Sequence, residues 1–157
     1  MKTLVLGIGN SILGDDGVGV HAVQELARKI KDANVDVKGV SFDGLNLLET
    51  MVGYDKLIVV DAILTEGGEA GEIYRLKPEQ VCRPSSSAIS PHHFNLVTTL
   101  AIGKKLFPDE MPSEVTVFAV NTQDVTMVTE EMTEEVKKAI PRVVSLVSEE
   151  LSTADSS

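Results

Sequence analysis

Apolar and polar positions follow two rhythms that alternate along the chain. KTLVLGIG (2–9) is a near-unbroken apolar run, as expected of a strand buried on both faces. Over 16–31, Val18, Ala22, Val23, Leu26, Ala27 and Ile30 recur at helical spacing and share one face. VDVKGVSF (35–42) reads as a strand nearer an edge, LNLLETMV (45–52) as a short helix, and KLIVVDAI (56–63) as a second buried strand. EGGEAGEIYRL (66–76) supplies a glycine turn and a short strand, and 77–90 reads as an irregular loop. FNLVTTLAIGKKLF (94–107) is predicted to be helical and EVTVFAV (114–120) to be another buried strand. The pattern closes with a helix over 130–151, whose apolar stripe includes Met132, Val136, Ile140, Val143, Val147 and Leu151. Pro141 removes one hydrogen bond inside it, which predicts a kink near 137–141 or the start of a second helix.

This order predicts an α/β fold: a mostly parallel sheet with helices on both faces. One domain spans 1–151, and the low-complexity tail 152–157 is expected to fray. Such folds place their sites at the carboxyl ends of the strands.

Composition narrows the function. The 157 residues carry a net charge of −10, with 43% hydrophobic and 24% charged residues, as in soluble globular proteins. Residues 109–157 hold eleven acidic and three basic side chains. That balance argues against a nucleic-acid partner and reads as a solvated helix face. A surface for a basic partner is the alternative. No stretch is long and apolar enough for a membrane span, and the N-terminal run stops too soon for a signal peptide. Cys82 is the single cysteine, which leaves no internal disulfide or cysteine-based zinc site and points to a reducing, cytoplasmic setting.

The candidate chemistry lies where strands end. GIGNSILGDDGVGV (7–20) follows the first strand, but it is neither a dinucleotide fingerprint nor a P-loop. Ile12 stands where the fingerprint needs glycine, and Asp15 and Asp16 stand where a P-loop needs Lys and Ser/Thr. Two carboxylates there repel phosphate. One aspartate is expected to cap the first helix, leaving the other to face the crevice and bind a cation. Asp61 follows four apolar residues in LIVVD, where a carboxylate is costly unless paired or bound. If the first and third strands are neighbours, Asp61 lies beside the 14–16 turn. In SAISPHHFNL (87–96), Ser90 suits an N-cap and Pro91 a first helical residue, which places His92 and His93 in the first turn. A helix N-terminus favours neutral imidazole, the metal-binding form. His21 lies off the apolar face of its helix and reads as a surface residue. Two carboxylates and an imidazole with open positions suit a divalent transition metal. Neither Cys82 nor the Ser85–Ser87 run has the context of a catalytic nucleophile.

Together, GIGNSILGDDGVGV, LIVVDAI and ISPHHFNL resemble the hydrogenase maturation endopeptidases, in order and spacing, over roughly residues 2–150. The resemblance implies a five-stranded twisted sheet between helices. It also implies a metal site of Asp16, Asp61 and His92, with His93 a bystander and Asp15, Gly7, Gly9, Asn10, Gly17 and Gly19 shaping the loop. The implied activity is removal of a C-terminal extension from the precursor of a [NiFe]-hydrogenase large subunit after nickel insertion. Nickel would come with the precursor, and zinc or cadmium could substitute in vitro. Family members are also classed as aspartic-type proteases, so the same three residues are the candidate catalytic groups, and the metal's part in the chemistry stays open. A monomer is expected. Asn121 and the following TQDV are expected on the rim of the substrate cleft. Two other functions compete: a module that docks on a metalloprotein precursor without cutting it, and a small-molecule hydrolase on the same scaffold.

Overall fold

The computed structural model describes residues 1–10, 14–40, 44–65, 67–81, 88–89, 93–122 and 131–155. In chain order the elements are β1 (Thr3–Ile8), α1 (Val18–Lys29), β2 (Val35–Val40), α2 (Gly44–Met51), β3 (Lys56–Thr65), β4 (Ile73–Leu76), α3 (Pro78–Val81), β5 (Ala88–Ile89), α4 (His93–Leu106), β6 (Glu114–Asn121) and α5 (Glu134–Asp155). A single 3-10 turn, Gly14–Gly17, precedes α1.

The sheet runs β2-β1-β3-β6-β4, with β5 paired to the end of β3. The first four strands of that order are mutually parallel, and β4 lies antiparallel on the β6 edge. This is the five-stranded, mostly parallel sheet between helical layers expected from the sequence, with β5 added as a two-residue spur. The first and third strands are indeed neighbours, with Gly7 opposite Val60.

Alternation along the strands divides the core in two. Val5, Ile58, Val60, Ala62, Phe118 and Val120 face α1 and α5, where Val18, Leu26, Val136, Val143 and Val147 close the layer. Leu4, Leu6, Ile8, Leu57, Val59, Ile63, Val117 and Ala119 face the opposite way, against Leu47 and Met51 of α2 and Leu96 of α4. Central strands buried on both faces explain the unbroken apolar runs that identified them.

Three expectations change. The first helix does not begin at residue 16. Its first turn is the 3-10 turn, and the N-cap of α1 is Gly17, with no side-chain cap bond. The 77–90 segment is not wholly irregular. Pro78 opens α3 at the position where its missing N–H is harmless, and the Lys77 N–H donates to Gln80 Oε1 at 2.6 Å. The last helix is continuous through Pro141 and starts no second helix. It also extends beyond Leu151 to Asp155, with the Ser152 and Thr153 hydroxyls donating to carbonyls one turn back.

Both ends of α5 are tied down. At its carboxyl end Glu150 accepts two hydrogen bonds from Arg75, at 2.8 and 3.3 Å, and lies 3.3 Å from the buried Lys56 Nζ. The Arg75 guanidinium, and then Lys56, hold the Glu150 carboxyl below the ordinary range of a glutamate. At its amino end Asp15 holds Thr133.

Two predictions follow from this packing. A Cβ on Gly19 would lie 2.3 Å from the Val60 carbonyl oxygen and 2.8 Å from that of Ile8. Gly19→Ala gains about 1 kcal/mol of helix propensity but loses more to this overlap, so chemical denaturation should show a net loss of about 2–4 kcal/mol. An unchanged midpoint would refute the close contact. Glu150→Gln should cost about 1–2 kcal/mol at neutral pH. Because the folded carboxyl titrates below its unfolded value, that contribution is complete above the unfolded value and is lost as pH falls through the folded one. Stability curves of wild type and Glu150→Gln should therefore converge in acid, and parallel curves would contradict the assignment.

Candidate active site at the carboxyl ends of β1 and β3

The site is built around close backbone contacts that only glycine permits. A Cβ on Gly7 would meet the Gly19 carbonyl oxygen at 2.3 Å, and one on Gly9 would meet that of Asp16 at 2.1 Å. With Gly19 pressed on Val60 and Ile8, the first turn of α1 sits across the ends of β1 and β3. The 3-10 turn that carries Asp15 and Asp16 therefore lies against β3. Gly14 takes φ 54°, a left-handed conformation that admits glycine readily.

The two aspartates turn to different partners. Asp15, 1% exposed, accepts the Thr133 N–H at 2.7 Å and the Thr133 hydroxyl at 3.0 Å. Asp16, 2% exposed, accepts the Asn10 N–H on Oδ2 at 3.0 Å. The N-cap position of α1 is held by Gly17 and by neither aspartate. The amino end of α1 is packed on strand carbonyls through Gly19, and the two carboxylates reach Thr133 and Asn10.

Asp61 is 3% exposed, inside β3, opposite Ala119 of β6. Its Oδ1 accepts the Ala62 N–H at 2.8 Å. By strand alternation it shares a face with Leu57, Val59 and Ile63, the face that α2 and α4 cover. Asp16 and Asp61 are thus buried carboxylates on adjoining elements at one end of the sheet. Burying a carboxylate is costly, and hydrogen bonds or a bound cation can offset that cost.

The third expected ligand, His92, lies outside the described residues, as do Ser90 and Pro91. The described helix α4 begins at the next residue, His93. Among the described residues no three His, Cys, Asp or Glu side chains gather as a metal site. Cys82, the Ser85–Ser87 run and Gln123–Val125 also fall outside the described residues.

Two other expectations are revised. Asn121 is 2% exposed and does not present its amide to a cleft. Its Oδ1 accepts the Thr65 N–H at 3.0 Å and its Nδ2 donates to the Glu69 carbonyl at 2.8 Å, so it fastens the β3–β4 connection. His21 is not a simple surface residue. It is partly buried, with Nε2 shut from solvent, beside Pro141 and Val144 in a groove of about 400 Å³ between α1 and α5. The chain pattern gave no hint of Thr133 as the partner of Asp15, 118 residues away. Among the described residues, no helix is long and apolar enough to cross a membrane.

Comparison with known proteins agrees with this architecture. The family model described as HycI, hydrogenase maturation protease, matches residues 20–150. The chain is 33% identical over 121 residues to the hydrogenase 2 maturation protease of Escherichia coli K12, covering 76% of this chain and 73% of that one. It is 30% identical over 148 residues to a putative hydrogenase maturation protease of Methanocaldococcus jannaschii, covering 92% of each. The solved structure of the hydrogenase maturating endopeptidase HybD from E. coli superposes with a TM-score of 0.83 at 27% identity, covering 98% of this chain and 94% of that one. The chain is a member of the hydrogenase maturation protease family, a family of peptidases.

Proposed function

We propose that this protein removes a C-terminal extension from the precursor of a [NiFe]-hydrogenase large subunit, and does so only once nickel is in place. The observation that carries this reading is the burial of Asp16 and Asp61, 2% and 3% exposed, on adjoining elements at the carboxyl end of the sheet. In this reading Asp16, Asp61 and His92 meet the nickel carried by the precursor. The donor set suits that ion: two carboxylates and an imidazole are ligands for a divalent transition metal, and three ligands leave positions for groups of the substrate.

The reading gives each residue a task. Asp16 is presented by the 3-10 turn, with its backbone seated on Gly9 and its Oδ2 fixed by the Asn10 N–H. Asp61 is presented by the central strand, so its position is set by the sheet. His92 precedes α4, whose Leu96 packs in the same layer that Asp61 faces. A site assembled from a turn, a strand and a helix approach binds weakly until the precursor completes it, which makes cleavage conditional on nickel. Nickel held there would supply polarisation of the scissile carbonyl, and a carboxylate of this chain would take the proton of the attacking water and pass it to the leaving amine. No nucleic acid or membrane takes part, and the protein acts as a cytoplasmic monomer.

The test uses intact-mass analysis of the large-subunit precursor, loaded with nickel or free of it. Wild-type protein should release a C-terminal peptide from the loaded precursor alone. Asp16→Asn, Asp61→Asn and His92→Ala should each slow cleavage by at least about 100-fold while keeping a native circular dichroism spectrum. Normal processing by all three variants would overturn the site. Stable binding with no trimmed product would favour a docking module.

A further inference from the structure

The Asp15–Thr133 contact has a role that packing alone does not require. Asp15 is buried to 99%, and its carboxylate reaches the start of a distant helix, α5. It accepts the Thr133 N–H at 2.7 Å, and the Thr133 hydroxyl lies 3.0 Å from Oδ2 and 3.2 Å from Oδ1. Thr133 is the residue just before α5, and its carbonyl accepts the Lys137 N–H at 3.0 Å. The carboxylate therefore holds the amino end of α5 from another element, with the helix dipole favouring its charge.

The same turn carries Asp16, whose carboxylate is held from the other side by the Asn10 N–H. Glycines flank the pair: Gly14 at φ 54° and Gly17 at φ −80°. Glycine adds little backbone stiffness, so the side-chain anchors set where this turn sits. The far end of α5 is fixed independently by Glu150 on Arg75 and Lys56.

We infer that Asp15 is a positioning residue: by gripping Thr133 it fixes the 14–17 turn to the amino end of α5 and so sets the placement of the Asp16 carboxylate. The inference rests on the reading of Asp16 given under Proposed function. Asp15 touches neither nickel nor substrate in this scheme.

The Asn10 amide reports the effect directly, because its hydrogen bond ends on Asp16. Amide exchange measured by NMR on the full chain should show Asn10 protection falling at least about tenfold in Asp15→Ala, beyond any loss at the core amide of Leu6. The kcat for nickel-loaded precursor should fall by a similar factor with KM little changed. Asp15→Asn keeps an acceptor for the Thr133 N–H and gains a donor for its hydroxyl, so it should stay within about twofold of wild type in both readouts. Thr133→Val keeps the backbone bond and loses the hydroxyl, and should fall between, near about threefold. It carries the test if Asp15→Ala does not fold. Asn10 protection that drops only in step with Leu6, or Asp15→Asn behaving as badly as Asp15→Ala, would overturn the inference. Asp16→Asn serves as the control. If it cleaves normally, the metal-site reading fails, while the exchange data still judge the clasp.

Discussion

Everything at the candidate site depends on how closely the start of α1 approaches the sheet. At Gly7, Gly9 and Gly19 a side chain would overlap backbone carbonyls at 2.1–2.3 Å. Backbone packed on backbone lets the 3-10 turn lie across the ends of two parallel strands, where a bulkier helix start would stand off. Asp15 and Asp16 are thereby buried in a turn that lies against β3. The cost is paid in conformational freedom, and the two core layers on either side of the sheet supply the compensating apolar burial.

The last helix links this site to the rest of the molecule. Its apolar stripe covers one face of the sheet, and its two ends are held by different chemistry. Charged pairs with Arg75 and Lys56 fix the carboxyl end, and Asp15 fixes the amino end through Thr133. Pro141 lies between them, where it leaves the helix continuous. The opposite face of the sheet belongs to α2 and α4, and Asp61 is on that side by the parity of β3. The central sheet thus separates the helix that braces Asp16 from the helix that His92 precedes.

Much of this was legible in the order of residues. Apolar runs at 2–9, 56–63 and 114–120 identified buried parallel strands, because a strand covered on both faces has no polar positions to show. Asp61 stood out because a carboxylate in such a run conflicts with its surroundings. The DDG run after a glycine-rich turn marked the end of the first strand as a candidate site. Local chemistry offered an aspartate for the N-cap position of α1, which Gly17 occupies. It also left Asn121 as a cleft residue, although its amide is consumed by the backbone of Thr65 and Glu69.

What the order of residues determines by itself is set by local rules: period, turn chemistry, and the conflict between charge and an apolar run. These suffice for the layers of the fold, the strand ends and the acidic residues found there. Which aspartate meets which partner is decided only in three dimensions. Asp15 finds Thr133 across 118 residues and Asp16 finds Asn10, because the glycine contacts bring the turn onto the sheet within reach of both. Hydrogen bonds between distant segments follow from the packing that brings those segments together, and no local pattern encodes them.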